Sequence, residues 1–256
     1  MKKALKQLAL LPLFCGLLVI TSCNKDDKKT KLETTQLSMK WANTAQIVVS
    51  PNANGVTFTS SNESIAGVSA TGLVTARRIG TATITVKKGN ENLGTCRVTI
   101  TESYPLKFRA VYLTWNASKS SVKSYESRIL DLETTTGLRF RGENSSLTAV
   151  AYTFSGGRNL NSAGIQIPTS ELSYIRNHIR ERSLWSSATG DFFMDYNGNT
   201  SVAGDIQWSS STGYVVVFIP SSSRSSSQAK SNDLTAEQYK AIIQEEFNKF
   251  ANQFEN

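Results

Sequence analysis

Val56-Thr57-Phe58-Thr59-Ser60-Ser61-Asn62-Glu63-Ser64-Ile65-Ala66-Gly67-Val68 runs directly into Ser69-Ala70-Thr71-Gly72-Leu73-Val74-Thr75-Ala76-Arg77-Arg78-Ile79-Gly80-Thr81-Ala82-Thr83-Ile84-Thr85-Val86. Short alternations of apolar and polar residues, rich in Val, Ile and Thr, are interrupted every few positions by turn formers. That is the pattern of half-buried strands. Ser60, Ser61 and Asn62 suit a turn in which side chains bond the local backbone. Gly72 and Gly80 suit turn conformations that other residues enter only at a steric cost. Ala66, Val68, Val74 and Ile84 are expected to face a core. Working outward, Gln46–Val49 and Cys96–Ile100 read as further strands, with Pro51-Asn52, Asn54-Gly55 and Gly89-Asn90 as turns. Residues 33–102 contain no helical periodicity, and short strands at this spacing favour a β-sandwich.

The Ser-Ser-Asn turn, Ile65-Ala66-Gly67-Val68, Gly72-Leu73-Val74-Thr75-Ala76 and Gly80-Thr81-Ala82-Thr83-Ile84 together resemble the group 2 bacterial immunoglobulin-like domain, BIG2. Phe58 stands where that family often has Trp, and should fill the same core position with less volume. The resemblance implies an Ig-like sandwich over residues 33–102. It also implies a domain without catalytic residues, of a kind found as a spacer in adhesins and carbohydrate-active enzymes.

Upstream, Lys2, Lys3 and Lys6 precede an apolar stretch from Leu8 to Ile20, which closes on Ile20-Thr21-Ser22-Cys23. The stretch is short for a membrane span and flanked as an export signal. Its end resembles the lipobox of bacterial lipoproteins. That resemblance implies a signal peptide over residues 1–22 and lipidation at Cys23. Each buried CH₂ of an acyl chain contributes about 0.8 kcal/mol, and one chain binds only reversibly, so two or three are needed for a lasting anchor. Residues 23–32 read as the lipidated cysteine and a polar tether. Lys25-Asp26-Asp27 resembles the surface-export signal of Bacteroidetes lipoproteins, which implies the outer membrane and the cell surface. Cys96 is then the one remaining thiol beyond the anchor (Cys15 lies in the signal), and it reads as a small buried hydrophobe.

Downstream, residues 103–256 read as an α+β domain with an antiparallel sheet and helices packed on one of its faces. Leu106–Leu113 alternates like a strand. Ser118 caps a helix expected to carry Val122, Tyr125, Ile129 and Leu132 on one face. Leu138–Arg141, Ala149–Phe154 and Ala163–Ile167 read as strands. Pro168-Thr169-Ser170-Glu171 then opens a helix with Leu172, Ile175 and Ile179. Phe192–Tyr196, Asp205–Ser209 and Tyr214–Ile219 read as three more strands. Thr235 and Gln238 form a capping box, with Leu234 and Tyr239 as a hydrophobic staple. The helix they open carries Tyr239, Ile242, Ile243, Phe247, Phe250 and Phe254. This order suggests an internal α-β-β-β duplication. The serine-rich insertion around Arg224 reads as an exposed loop. No known family is recognisable in this half.

The formal charge of the chain is +8, falling to +5 once the three lysines of residues 1–22 are removed. Residues 103–256 hold 15 basic against 14 acidic residues, so nucleic acid is not an expected partner. His178 lacks a second ligand at helical spacing and reads as structural. Asp195-Tyr196-Asn197-Gly198-Asn199-Thr200 fails as a calcium loop and reads as a turn. No catalytic residue, metal site or cofactor is assigned. Trp115, Trp185 and Trp208 are the candidate ligand contacts, able to stack on sugar rings or anchor a protein if exposed. The expected function is a non-enzymatic, lipid-anchored surface protein, with BIG2 as spacer and the C-terminal domain binding glycan or protein. The alternatives are a carboxylate-based glycosidase or other hydrolase using Asp191, Asp195 and Asp205, and a structural subunit of a surface assembly.

Overall fold

The computed structural model describes residues 29–186, 191–199, 201–221 and 236–255. Cys23, Arg224, Leu234 and Thr235 lie outside them, as does the side chain of Trp185.

The N-terminal half is all β. Its strands are β1 (Lys31–Leu32), β2 (Gln36–Lys40), β3 (Thr44–Gln46), β4 (Val49–Ser50), β5 (Val56–Ser60), β6 (Ala66–Val68), β7 (Leu73–Ala76), β8 (Gly80–Lys88) and β9 (Glu91–Thr101). A four-stranded sheet, β2-β9-β8-β5, contributes one face of the core; a three-stranded sheet, β3-β7-β6, contributes the other. The alternation of β8 carries this packing: Ala82, Ile84 and Val86 are buried while the intervening threonines stay nearer solvent. Cys96 is wholly buried in the same core, and desolvation raises its thiol pKa. The Asn62 carboxamide accepts from the Ser64 N–H at 3.1 Å, forming the expected side-chain turn. Gly72 has a φ of +81°, and a Cβ there would lie 2.8 Å from the Phe58 ring, so both conformation and space require glycine. Part of the expected tether is packed against the sandwich: Thr30 is buried against Lys88, and β1 pairs with β4.

The C-terminal half contains α1 (Lys119–Tyr125), β10 (Leu130–Glu133), β11 (Gly137–Asn144), β12 (Leu147–Ser155) and β13 (Asn159–Ile167). It continues with α2 (Leu172–Arg182), β14 (Trp185–Ser186), β15 (Phe193–Met194), β16 (Val202–Ser209), β17 (Gly213–Pro220) and α3 (Ala236–Glu255). The strands form one antiparallel sheet in the order β10-β11-β12-β13-β17-β16-β15-β14. Each half of that sheet is a four-stranded meander following a helix. The last strands of the two meanders meet at the centre, with Ala163 opposite Phe218 and Gly164 opposite Val217. The unit is therefore α-β-β-β-β, one strand longer than the sequence pattern suggests.

Two elements differ from expectation. The first helix stops at Tyr125, because Glu126 turns extended and joins a buried network. Arg128 donates to the Glu126 carboxylate at 2.6 Å, and the Tyr152 hydroxyl donates to the same group. Leu132 consequently lies in β10, and Ile129 is 68% exposed rather than on a helix face. Residues 106–113 alternate like a strand but join no ladder. They form an irregular strap whose backbone is satisfied by side chains, since buried peptide groups need partners of some kind. The Lys107 carbonyl accepts from Asn144 at 2.8 Å and the Ala110 carbonyl from the Tyr125 hydroxyl at 2.8 Å. The Tyr112 N–H donates to the Tyr152 hydroxyl at 3.0 Å.

Helices cover both faces of the sheet rather than one. Val122 of α1 and Ile175 and Ile179 of α2 share a core with the strap and one sheet face. α3 covers the other through Tyr239, Ile243, Phe247 and Phe250, while Ile242 is left exposed. Ala151, Gly164 and Ala203 keep that face low enough for the helix to approach; a Cβ on Gly164 would meet the Phe250 ring at 3.0 Å. One polar cluster fixes the register of α3. The carboxylate of Glu246, 3% exposed, accepts from Thr153 at 2.9 Å, Ser162 at 2.6 Å, Asn161 at 3.0 Å and Lys249 at 2.6 Å. Replacing Glu246 with Ala strands these donors and is expected to lower stability by about 2–4 kcal/mol, read from urea unfolding midpoints.

Candidate functional site

The two halves meet in a dense polar and aromatic joint. Glu181, the next-to-last residue of α2, is wholly buried. Its carboxylate accepts the backbone N–H of Ser103 at 2.7 Å and of Tyr104 at 3.1 Å. Its own carbonyl accepts the Ile79 N–H at 2.9 Å, so the sandwich itself is bonded to α2. Arg182 binds the Tyr104 carbonyl at 3.2 Å and pairs with the carboxylates of Glu102 and Glu181. Trp41 packs edge-on against Tyr104, which packs edge-on against Tyr174, with Arg180 over the Trp41 ring. The Trp41 indole N–H donates to the Arg77 carbonyl at 2.9 Å.

His178 completes this joint. Nδ1 lies 2.6 Å from the Tyr104 carbonyl, which can only accept, so Nδ1 carries the proton. Nε2 is then the acceptor for the Tyr196 hydroxyl at 2.7 Å. Burial pushes the imidazole pKa down to about 4, against the raising effect of the Tyr104 carbonyl. Burial also raises the Tyr196 hydroxyl. With both nitrogens committed, the expectation of a structural histidine agrees with the geometry. Beside the joint runs a crevice of about 560 Å³, whose polar rim includes Glu102, Arg182, Asn197 and Asn199 and whose inner wall includes Leu106 and Val111. It leads to a small apolar chamber of about 30 Å³ between strap, α2 and sheet.

The candidate tryptophans do not form one platform. Trp115 is half-buried against the core, and its indole N–H donates to the Ser201 carbonyl at 2.7 Å. Trp208 lies at the far end of β16, 59% exposed, opposite Tyr214 of β17. Seven residues of strand put Ser201 and Trp208 about 23 Å apart. Trp185 pairs through its backbone with Met194. Trp208 is thus the exposed aromatic among the described side chains of the three. Sequence reasoning passed over Trp41, Tyr104 and Glu181, whose partners are distant in the chain.

Asp191 and Asp205 are neighbours, since the Asp191 carbonyl accepts the Ile206 N–H at 3.1 Å and the charge of Asp191 adds to the rise of the Asp205 pKa, but each carboxylate has its own hydrogen-bond partners. Asp191 pairs with Arg176 of α2 at 2.6 Å. Asp205 is buried, accepting from the Ile206 N–H and the Gln207 amide, each at 2.9 Å. Desolvation is the main cause of its pKa rising to about 6. Among the described residues, no cluster of His, Cys, Asp and Glu is arranged to hold a metal ion.

These features define a two-part protein: an Ig-like sandwich bonded to an α+β domain with an eight-stranded antiparallel sheet. Residues 28–100 match the family model of the bacterial Ig-like domain (group 2). No curated protein matches the chain. Among solved structures, an intimin mutant from EHEC O157:H7 is similar at 20% identity, over 43% of this chain and 60% of that one, with a TM-score of 0.24. A bacterial Ig-like domain-containing GH10 xylanase from termite gut is similar at 16% identity, over 56% and 37%, with a TM-score of 0.24. Domains 5–6 of the S-layer protein SbsC are similar at 14% identity, over 77% and 85%, with a TM-score of 0.24. The chain thus spans less than two thirds of the intimin and xylanase chains, and likenesses this loose assign no activity.

Two pH effects of opposite sign follow. His178 binds a proton more weakly folded, at about 4, than unfolded, near 6.5. Stability therefore falls as pH drops through that window, by roughly 2–3 kcal/mol between pH 7 and 4.5. His178→Gln, which can still donate to Tyr104 and accept from Tyr196, should remove this component from the pH dependence of the urea midpoint. Asp205 binds its proton more tightly folded, at about 6, than unfolded, near 3.8, so it costs stability as pH rises through that range. Asp205→Asn should stabilise the protein by up to about 3 kcal/mol at pH 8 and by almost nothing at pH 3.5, by thermal melts across pH.

Proposed function

We propose that this is a lipid-anchored cell-surface protein of adhesion type, in which the BIG2 domain is the spacer and residues 103–256 bind a glycan or protein ligand. The observation that carries the reading is the joint around Glu181. A spacer that presents a distal module in a fixed orientation needs bonds across the boundary, and Ile79, Ser103 and Tyr104 all supply them to α2. The BIG2 match supports a surface setting. The Ile20–Cys23 lipobox and Lys25-Asp26-Asp27 support an outer-membrane lipid anchor at Cys23 facing outward. Trp208, beside Tyr214, is the aromatic contact offered to a ligand. The near-neutral C-terminal domain argues against nucleic acid. Asp191 and Asp205 are bound into ion-pair and buried positions, which weighs against a two-carboxylate hydrolase.

Cys23→Ala is expected to move the protein from the membrane fraction to the soluble fraction. Protease added to intact cells should remove the wild-type protein; full protection would refute surface exposure. On arrays of glycans and extracellular proteins, the chain from Asn24 should bind a ligand, and Trp208→Ala should weaken that binding about tenfold. Turnover of a polysaccharide, abolished by one Asp or Glu substitution, would replace this reading with a hydrolase.

A further inference from the structure

The alternation that buries Ala82, Ile84 and Val86 leaves the outer face of the β2-β9-β8-β5 sheet to hydroxyls and cations. We propose that this face is a docking surface for a linear polysaccharide bearing carboxylates, a polyuronate. The inference goes beyond a spacer role for the sandwich and is independent of any ligand of residues 103–256.

The charge of the face carries the argument. Residues 29–102 hold eight cations against four glutamates and no aspartate. Each of those glutamates is already in an ion pair: Glu33 with Lys31, Glu63 with Arg77, Glu91 with Lys29 and Glu102 with Arg182. The outward positions of the four strands carry Lys40, Lys87 and Arg97 and no carboxylate. None of these three cations joins an ion pair among the described residues. Lys40 donates to the Glu102 carbonyl at 2.7 Å, a neutral partner that orients the ammonium and leaves its charge. Strand propensity accounts for threonine on an exposed face, but not for this one-sided charge.

The register sets the cations in a line. Gln36 of β2 and Thr83 of β8 flank Arg97 of β9. Because β2 is parallel to β9 and β8 antiparallel, Lys40 lies four residues along β2 in one direction and Lys87 four residues along β8 in the other. Four residues of strand rise and one strand of sideways offset make each step about 14 Å. The three charges therefore run diagonally across the face, with Arg97 at the centre.

Hydroxyls fill the intervals. Thr81, Thr83 and Thr85 of β8 and Thr95 and Thr99 of β9 face outward. An open hollow of about 520 Å³ at Arg97 has walls that include Gln36, Ser38 and Thr99. Hydroxyls and amides both donate and accept, as sugar hydroxyls do, whereas a phosphodiester backbone only accepts. The guanidinium offers a carboxylate its planar fork. No aromatic or large apolar side chain points outward from the four strands, so the face has no stacking platform for bases and no wedge for a bilayer. Each exposed pair contributes little alone, so the fitting partner is a polymer that engages all three cations together.

The test titrates the chain from Asn24 against immobilised polygalacturonate, alginate and hyaluronate by biolayer interferometry, with fully methyl-esterified polygalacturonate as the neutral control. At least one of the three acidic polymers should bind saturably at about 50 mM NaCl and lose most of that binding at about 500 mM. The esterified polymer should not bind. Arg97→Gln should weaken binding about fivefold. Lys40→Gln, Lys87→Gln and Arg97→Gln together should abolish it, with the melting temperature unchanged because all three side chains are exposed. Thr83→Val with Thr99→Val keeps charge and shape and should also weaken binding. Monomeric galacturonate reaches one cation at a time and should bind at least about a hundredfold more weakly. Three outcomes would overturn the proposal: no binding to any of the acidic polymers, binding that survives the triple substitution and so belongs to another surface, or equal binding to duplex DNA or to phosphatidylglycerol vesicles. None of them bears on the ligand of the C-terminal domain, which Trp208→Ala tests separately.

Discussion

Two peptide N–H groups, at Ser103 and Tyr104, emerge from the last strand of the sandwich with no strand to pair with, and one carboxylate accepts both. That constraint organises the molecule. The carboxylate is Glu181, and to reach the link it must sit at the end of α2, so the helix is docked against the sandwich as well as the sheet. Arg182 then has its charge partners on either side of the boundary, and His178, one turn earlier, is fixed by the Tyr104 carbonyl. Leaving any of these groups unpaired in a buried setting would cost as much as several ordinary contacts contribute. The boundary between the two halves is consequently a place where the chain is held.

The sheet of the larger domain is assembled around a different requirement. Two meanders form one continuous sheet when their last strands lie side by side. β13 and β17 do so, which sends the two short first strands, β10 and β14, to the edges. The register shift between Leu130 and Leu132 and the brevity of β14 blunt edges that would otherwise invite pairing with another chain. With helices already on one face, α3 closes the other, seated by small residues and locked by Glu246.

Much of this was legible because it is local. The Thr–Ala–Thr–Ile alternation of β8, the glycine at position 72 and the aromatic stripe of α3 each state their role within a few residues. Both β-rich halves and the repeated helix-then-meander order could be read the same way. What could not be read depends on distant partners. Residues 106–113 alternate like a strand, but Asn144, Tyr125 and Tyr152 reach their backbone before any strand does. The first helix ends early because Glu126 is needed beside Tyr152. Glu181 lies between two arginines on a helix, a position that in sequence resembles a solvated face, and its acceptor role is set by residues 77 and 78 positions away. For the same reason Trp41 drew no notice, although it contributes to the joint while Trp115 is spent on packing.

The pairing of β2 with β9 has a mechanical meaning. These strands are parallel, with Gln36 beside Arg97 and Lys40 beside Thr101. One follows β1 and the other leads into the larger domain. Tension between the tether and that domain pulls the two strands past each other along their length. The load falls on the whole ladder at once, in shear, instead of peeling it open one bond at a time. A sandwich connected in this way resists extension as a clasp does, and its strongest direction is the line joining its two attachments.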